Sequence, residues 1–205
     1  MDAVLIVVGL AVLGAGMVIV RDSAVPDVER SAFRAVNDLP GAFYPVLWPF
    51  QQLGAILVGP IVAVVAAAFR RYRLAIAALL VTVGKLVTER LVKAMVTRER
   101  PATSIGPDVE LRGDVSSAGE SFVSGHAVLA AALAVVVLPY LPARWRFVPV
   151  VAVALVLVGR VYVGAHNPLD VLCGAGLGLA LGAAVNLALG VPRRRRSTAD
   201  TPAQW

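Results

Sequence analysis

Six long apolar stretches constrain this chain more than any other feature of its sequence. They cover roughly residues 3–20, 53–69, 74–96, 122–141, 147–163 and 169–190. A helix of about 20 apolar residues is long enough to cross the hydrocarbon core of a bilayer. Inside that core the backbone must satisfy its own hydrogen bonds, which a helix does within one segment. The sequence therefore predicts an all-α integral membrane bundle of six transmembrane helices.

The composition supports this prediction. Hydrophobic residues make up 59% of the 205 residues and charged residues only 16%. A soluble domain of this size cannot bury that much apolar surface, so the excess must face lipid. Residues 1–192 are predicted to form one transmembrane domain, and residues 193–205 a basic, disordered cytoplasmic tail. The first stretch lacks the basic start of a signal peptide, and we expect it to be retained as a helix.

Three arginine clusters indicate how the chain lies across the membrane. They follow the second, fourth and sixth predicted helices and comprise Arg70, Arg71 and Arg73, then Arg144 and Arg146, then residues 193–196. Basic connections are retained on the cytoplasmic side. We therefore expect a multi-pass protein of the cell membrane with both termini in the cytoplasm. This distribution accounts for the net charge of +6 without a nucleic-acid partner.

The connection over residues 21–52 is rich in prolines and aromatic side chains and is too apolar for a free loop. Tryptophan and tyrosine are favoured at the membrane–water interface. We expect an amphipathic or re-entrant segment that lies at the interface between the first and second helices.

Ionisable residues lie inside two of the apolar stretches. They are Lys85, Glu89, Arg90 and Lys93 in the third stretch and Arg160 in the fifth. Such residues are costly at membrane depth and usually face a protein interior, so we expect the functional site beside these helices. Glu89 is four residues from both Lys85 and Lys93, a spacing that predicts ion pairs along one helical face. A substrate-binding role for the pair of Lys85 and Glu89 is the alternative.

Three short motifs fall on the predicted outer side. The first has Lys93 and Arg100 seven residues apart, with Pro101 expected to end the helix that carries them. Taken alone, it is also typical of a basic helix end that reaches toward the interface.

The second motif is Ser124-Gly125-His126 at the start of the fourth helix. A helix start presents free N–H groups to an anion, although a plain serine cap is the alternative.

The third motif joins the fifth and sixth helices through Arg160, His166 and Asp170. Asp170 follows His166 by four residues, so its carboxylate is expected to accept a hydrogen bond from one ring nitrogen. That bond would leave the other nitrogen as a nucleophile or base. A helix cap beside an interfacial histidine is the alternative.

The combination is more informative than any single motif, because the only two histidines lie on the same face as three cations. Arginine and lysine side chains around histidines are typical of a pocket for a tetrahedral phosphate. A metal site made of His126, His166 and Asp170 is the competing interpretation. The neighbouring cations would repel a divalent ion, and too few carboxylates lie nearby to offset them.

These motifs resemble the three-part signature of the type 2 phosphatidic acid phosphatases. That family is the membrane lipid phosphatase branch of the histidine acid phosphatase and vanadium haloperoxidase superfamily. The matching residues, in order, are Lys93-x6-Arg100-Pro101, Ser124-Gly125-His126 and Arg160-x5-His166-x3-Asp170. The resemblance extends over about residues 27–190 and implies a phosphatase that acts on lipid phosphates in the bilayer without a metal or other cofactor.

The resemblance also implies a role for each site residue. His166 is the nucleophile and forms a phosphohistidine, Asp170 orients it, and His126 protonates the leaving oxygen and then activates water. The phosphoryl oxygens are bound by Lys93, Arg100, Arg160, Ser124 and Gly125. Among substrates, polyprenyl pyrophosphate ranks first, followed by phosphatidic acid and phosphatidylglycerol phosphate.

Two positions depart from the family pattern, with Val123 in place of proline and Gly159 in place of serine. Neither is a catalytic group, so we expect an active enzyme. The alternative function is a non-catalytic transporter or binding protein for anionic lipids, in which the spacing of His166 and Asp170 is incidental.

Overall fold

The computed structural model describes residues 1–22 and 24–190, and this part of the chain is all helical. Its nine α-helices are α1 Asp2–Ile19, α2 Asp27–Asn37, α3 Tyr44–Gln51, α4 Val58–Ala68, α5 Tyr72–Met95, α6 Pro101–Ser104, α7 Gly125–Val137, α8 Phe147–Tyr162 and α9 Pro168–Leu189. Short 3-10 turns extend α7 at Leu138–Tyr140, precede α8 at Ala143–Trp145 and follow α3 at Gln52–Gly54. The tail predicted over residues 193–205 lies outside the described residues.

Only some of these helices have the length and composition of a membrane span on their own. They are α1, the helical segment Ala143–Tyr162, and α9. The bent pair Gly41–Gly54 and Val58–Ala68 adds a fourth if it is one broken span. Helix α5 has 24 residues but carries the charged side chains noted above, and the apolar helix Gly125–Tyr140 is shorter. The all-α architecture is confirmed, whereas the count of six spans stays a prediction.

The second apolar stretch differs from the predicted helix over residues 53–69. Helix α4 begins only at Val58, because Ala55 has an extended backbone, and the preceding α3 segment is bent from α4 by 70°. The bend lies against the first turn of α7: a Cβ atom on Gly54 would lie 2.6 Å from the carbonyl oxygen of His126. The apolar run therefore folds partly as a short element that packs onto α7.

Helix α2 is amphipathic, as expected for the segment between the first and second spans, but its buried face is unusual. It buries Glu29, Phe33 and Asn37 at four-residue intervals, while Val28 is 83% exposed. The side-chain amide of Asn37 donates to the carbonyl oxygens of Glu110 and Tyr162, at 2.9 and 3.0 Å. Polar side chains thus attach α2 to the rest of the bundle.

Helix α9 lies at the centre of the bundle and packs closely against α7 and α1. Glycines at four-residue intervals, Gly174, Gly178 and Gly182, form the face that meets α7. A Cβ atom on Gly174 would lie 2.7 Å from the carbonyl oxygen of Ser124, so the two backbones are in direct contact. Small residues permit this close approach between membrane helices, and it fixes the start of α7 beside the start of α9.

The two ends of the bundle differ in chemistry. At one end Arg71 donates to the carbonyl oxygen of Tyr140, and Arg73 donates to that of Gly190, at 3.1 and 3.3 Å. The first predicted arginine cluster therefore lies beside the carboxyl ends of α7 and α9. The opposite end gathers the last turns of α5 and α8 with the first turns of α7 and α9, which carry the three motifs.

Candidate active site

The second and third motifs meet where α7 and α9 begin. The backbone N–H of Ser124 donates to the carbonyl oxygen of Asp170 at 3.0 Å. His166 lies just before α9, in the connection from α8, and is only 4% exposed. The segments that the sequence separates by about 40 residues thus form one buried cluster.

The imidazole of His166 is held by a backbone carbonyl. Its Nδ1 atom lies 3.0 Å from the carbonyl oxygen of Ser121, whereas Oδ2 of Asp170 is 3.8 Å away. A carbonyl can only accept, so Nδ1 carries the hydrogen and Nε2 keeps its lone pair. The expected direct hydrogen bond from His166 to Asp170 is therefore replaced by one to Ser121, with the carboxylate at ion-pair distance.

Asp170 does not reach the ring because its oxygens bind other donors. Oδ2 accepts from the backbone N–H of Asn167 at 2.8 Å, and Oδ1 accepts from Nη1 of Arg98 at 2.7 Å. The first bond is half of a capping box between Asn167 and Asp170 that starts α9. Asp170 thus combines a capping role, one of the alternatives for the motif, with a position beside the histidine.

Burial lowers the pKa of His166 below its ordinary value of 6.5, and the charges of Arg160 and Arg100 act in the same direction. Asp170 opposes them and raises the pKa, but the balance is a decrease. The neutral ring is the form that carries a nucleophilic lone pair. The environment of His166 therefore favours its nucleophilic state near neutral pH.

His126 occupies the first turn of α7, and its surroundings are charged. Its ring interacts with the charges of Arg160, His166, Lys85 and Glu89. The two histidines are thus neighbours, as the motifs predicted. They differ in attachment, because His166 is bonded to a backbone carbonyl while His126 is fixed through the packing of its backbone against the α3–α4 bend.

Two of the predicted phosphate-binding cations keep unpaired donors. Arg160 donates from Nη1 to Oε1 of Gln51 at 3.0 Å, and Arg100 donates from Nη1 to the carbonyl oxygen of Ala165 at 3.4 Å. Their buried Nε atoms, and the buried Oγ of Ser124, have no hydrogen-bond partner in the described part of the chain. Buried donors without partners are rare in folded proteins, so these groups are suited to bind an anion.

The third predicted cation, Lys93, is bound to a carboxylate. Its Nζ lies 2.9 Å from Oε1 of Glu89, while Nζ of Lys85 lies 2.7 Å from Oε2. The expected ion pairs along α5 are therefore present.

Helix α5 ends at Met95, and Pro101 begins α6. The prediction that Pro101 ends a helix shared by Lys93 and Arg100 is therefore wrong.

Gly125 packs directly against charged side chains of α5. The space above its Cα is filled by the ion pair on α5: a Cβ atom there would lie 2.7 Å from both Cδ of Glu89 and Cε of Lys85. The position requires glycine because a charged pair packs onto it. Its N–H still belongs to the first turn of α7, where no helical partner exists for it.

Four residues contribute to the site without belonging to the motifs: Glu29, Gln51, Arg98 and Ser121. The strongest sequence signal among them is the four-residue spacing of Glu29 and Asn37 with Phe33, which places polar groups on the apolar face of an amphipathic helix. Gln51 and Ser121 give no comparable local signal. Among the described residues, no group of three His, Cys, Asp or Glu side chains is arranged to hold a metal ion.

The two departures from the family signature lie in different environments. Val123 is fully buried in an apolar cluster with Phe122 and Val20. Gly159 faces the α3 segment, and a Cβ atom there would lie 3.4 Å from Cβ of Gln51, an ordinary contact. The missing serine at position 159 therefore leaves Gln51 as the polar side chain next to Arg160.

Comparisons with known proteins indicate the family and the fold of this chain. Residues 72–193 match the family model described as the PAP2 superfamily. The crystal structure of Aquifex aeolicus LpxE is 24% identical with a TM-score of 0.69, covering 76% of this chain and 92% of that chain. The first transmembrane PAP2 type phosphatidylglycerolphosphate phosphatase from Bacillus subtilis is 23% identical with a TM-score of 0.70, covering 95% and 98%. No curated protein sequence matches significantly. The fold is that of a multi-helix membrane protein, as predicted.

Proposed function

Since this chain belongs to the PAP2 superfamily, we propose that it is a membrane lipid phosphatase and that it hydrolyses a polyprenyl pyrophosphate through a phosphohistidine formed on His166. The observation that carries the proposal is the geometry of that ring, which is buried, with Nδ1 bonded to the carbonyl of Ser121 and Nε2 without a hydrogen-bond partner among the described residues. Beside it lie two arginines with unpaired buried donors. A fixed nucleophile next to anion-binding groups is what phosphoryl transfer requires.

In the first step, Nε2 of His166 attacks the terminal phosphorus and the bond from phosphorus to the leaving oxygen breaks. Protonated His126 gives its proton to that oxygen. Nδ1 of His166 keeps its hydrogen throughout, so the phosphohistidine ring carries a positive charge. The carboxylate of Asp170 at 3.8 Å stabilises this charge electrostatically.

In the second step, water attacks the phosphohistidine and gives its proton to His126. The bond between phosphorus and Nε2 breaks, its electron pair returns to the ring, and inorganic phosphate leaves. His126 is again protonated and His166 is again neutral, so the cycle closes without a metal. Arg100, Arg160, Ser124 and the N–H of Gly125 bind the phosphoryl oxygens, with Lys93 contributing charge from α5.

The position of Lys85 supports a diphosphate substrate over a monoester. Its Nζ is paired with Glu89 at 2.7 Å, and its charge interacts with His126, the residue proposed to protonate the leaving group. A diphosphate loses a lipid monophosphate, which carries negative charge, whereas phosphatidic acid or phosphatidylglycerol phosphate loses an alcohol that needs only a proton. A cation beside His126 favours the charged leaving group. Polyprenyl pyrophosphate therefore ranks first, and the two monoesters rank next.

We further propose that both termini are cytoplasmic and that the site faces the extracytoplasmic side. Support comes from Arg71 and Arg73, which bind carbonyl oxygens at the end of the bundle opposite the motifs. Basic residues collect on the cytoplasmic side of membrane proteins. A substrate that is released on the outer side would reach such a site without crossing the bilayer.

The test is phosphate release by detergent-purified protein in EDTA, with polyprenyl pyrophosphate, phosphatidic acid and phosphatidylglycerol phosphate as separate substrates. We expect the highest kcat/KM for the pyrophosphate and no release by His166→Ala. Lys85→Met should lower kcat on the pyrophosphate more than on the monoesters. Activity that disappears in EDTA and returns with a divalent ion would contradict the metal-free mechanism. Binding or transfer of lipid without phosphate release would indicate the non-catalytic alternative.

A further inference from the structure

We propose that the buried ion pair of Glu29 and Arg98 is a positioning device for the reaction, and that it makes helix α2 part of the active site. The pair holds the two groups that face the Nδ1 edge of His166: the carboxylate of Asp170 and the carbonyl of Ser121. This inference rests on the proposed function, in which His166 is the nucleophile.

Arg98 binds both carboxylates in the interior. It is 0% exposed, and its Nη1 donates to Oδ1 of Asp170 at 2.7 Å and to Oε1 of Glu29 at 3.1 Å. Its Nη2 donates to Oε2 of Glu29 at 2.5 Å, which completes a bidentate pair. Glu29 is 6% exposed and Asp170 0%. Two buried carboxylates this close together are stable as anions only with the guanidinium between them.

The charges of these groups agree with that arrangement. Burial alone would lower the pKa of Arg98, but Glu29 and Asp170 outweigh it, so that the pKa is raised. The guanidinium is therefore a permanent cation. It keeps Asp170 as a carboxylate, which is the form that stabilises a positively charged phosphohistidine.

The backbone of Arg98 fixes the second partner of the histidine. Its carbonyl oxygen accepts from the backbone N–H of Ser121 at 2.7 Å and from the Ser121 hydroxyl at 3.2 Å. The carbonyl of Ser121 in turn accepts from Nδ1 of His166. One residue therefore controls both groups at the Nδ1 edge, Asp170 through its side chain and Ser121 through its main chain.

Glu29 connects this arrangement to α2 and to the start of α9. Besides Arg98, its Oε1 accepts from the backbone N–H of Leu169 at 2.8 Å. That N–H lies in the first turn of α9, where it has no helical partner and where negative charge is favoured. A side chain from α2 thus caps the helix that carries Asp170, so a displacement of α2 would be transmitted to His166.

Both oxygens of Asp170 accept hydrogen bonds from other donors, so the carboxylate competes less for the cations that bind phosphate. With Oδ1 on Arg98 and Oδ2 on Asn167, the carboxylate makes no hydrogen bond to Arg100 in the described part of the chain, although the two charges interact. Without Arg98, Asp170 would pair with the nearest remaining cation. Loss of the pair is therefore expected to disorient His166 and to draw Arg100 away from the substrate.

The test compares Glu29→Gln, Arg98→Lys and Arg98→Met in the full-length protein. For Glu29→Gln we expect kcat to fall roughly 10-fold with a small change in KM, and for Arg98→Met roughly 100-fold. Losses of this size are typical for residues that orient a functional histidine through its hydrogen-bond partners. Arg98→Lys should restore part of kcat relative to Arg98→Met, since it keeps the charge. Arg34→Gln is the matched control, because Arg34 lies on α2 but donates only to the carbonyl of Asp108 and a surface pair.

Two further measurements separate positioning from folding. Glu29→Gln combined with Arg98→Met should cost less than the sum of the single losses, because both act through Asp170. Binding of vanadate, a mimic of five-coordinate phosphorus, reports the position of His166 without turnover. We expect vanadate to raise the thermal unfolding temperature of the wild type and of Arg34→Gln, but to have little effect on Glu29→Gln.

The outcomes distinguish this inference from the proposed function. Wild-type protein that is active, with Glu29→Gln retaining full kcat and vanadate stabilisation, overturns the inference and leaves the function intact. Wild-type protein that hydrolyses none of the lipids, but whose vanadate stabilisation is lost in Glu29→Gln, rejects the proposed function and supports the positioning role. Glu29 is the deciding position, since Arg98→Met leaves two buried carboxylates facing each other and is the variant most prone to unfold.

Discussion

The carbonyl oxygen of Ser121 lies 3.0 Å from Nδ1 of His166. A main-chain carbonyl accepts a hydrogen bond but never donates one, so this contact fixes the tautomer of the ring by itself. In many histidine-dependent enzymes a carboxylate has that role, and its replacement by an amide produces the wrong tautomer. Here the tautomer does not depend on Asp170, whose contribution is the electrostatic stabilisation of a charged ring at 3.8 Å.

The first prediction concerns Asp170→Asn. Because Ser121 still holds Nδ1–H, we expect kcat to fall about 100-fold, less than the roughly 10⁴-fold loss seen where an aspartate sets the tautomer. Phosphohistidine formation, measured by rapid quench with radiolabelled substrate, should slow while phosphoenzyme remains detectable. His166→Ala, which cannot form the intermediate, is the control. A loss as complete as that of His166→Ala would show that Asp170 alone orients the ring.

The second prediction concerns pH. The neutral form of His166 is the nucleophile, and burial lowers the pKa of that ring below 6.5. Activity should therefore persist as pH falls through 6.5, and decline only at lower pH as the ring takes up a proton. The measurement is kcat/KM against pH, because that constant reports the ionisation of the free enzyme. An acid limb centred at or above 6.5, the ordinary histidine range, would contradict the structural argument.

The acid limb of the pH profile can be assigned to His166 by a substitution at Asp170. Asp170 raises the pKa of His166 against the effects of burial and of the arginines. In Asp170→Asn the acid limb should therefore move to still lower pH, although the plateau is reduced. A limb that does not move between the two proteins would belong to the substrate or to another group.

The motifs predicted several of the side chains that meet at the site, but not Glu29, Gln51, Arg98 and Ser121, which hold them in place. His166 and Asp170 are four residues apart at a helix start, and Ser124 and His126 share one helix turn, so local spacing specifies their relative positions. Arg98 and Glu29 are 69 residues apart and meet only because α2 packs on the start of α9. The bend before Val58 likewise depends on contact between Gly54 and His126. Such contacts have no periodic signal in one sequence.

The third prediction concerns Gln51, which orients Arg160 from the α3 segment. Its Oε1 accepts from Nη1 of Arg160 at 3.0 Å, and Gln51 is only 5% exposed. A hydrogen bond to a charged group contributes about 1.5–3 kcal/mol. Gln51→Leu should therefore raise KM roughly 10-fold with a smaller effect on kcat, because Arg160 binds the phosphoryl group before and during the reaction.

The control for this experiment is the adjacent residue. The side chain of Gln52 makes no hydrogen bond among the described residues, so Gln52→Leu should leave both constants unchanged. Steady-state kinetics with the pyrophosphate substrate measures the difference. Equal effects of the two substitutions would mean that the α3 segment acts through general packing and that Gln51 does not orient Arg160.

The last prediction concerns Gly125→Ala, which places a methyl group against the ion pair on α5. Its Cβ would lie 2.7 Å from Cδ of Glu89, so the carboxylate must move and its bonds to Lys85 and Lys93 must lengthen. Overpacking of this kind costs about 1–3 kcal/mol. We expect a lower unfolding temperature in detergent together with a loss of activity, because the displaced lysines flank the phosphate site.

A helix in the lipid-facing part of the bundle offers a matched comparison. A Cβ atom on Gly14 of α1 meets nothing within 4 Å, so Gly14→Ala should leave activity unchanged and should not lower the unfolding temperature. Glu89→Ala in the Gly125→Ala background should relieve the contact with the carboxylate but not the contact with Cε of Lys85. It also leaves Lys85 and Lys93 without their partner, so we expect neither the unfolding temperature nor the activity to recover. Recovery of both the unfolding temperature and the activity would show that the two lysines take no part in the reaction. Arg100 and Arg160 would then be the cations that bind phosphate.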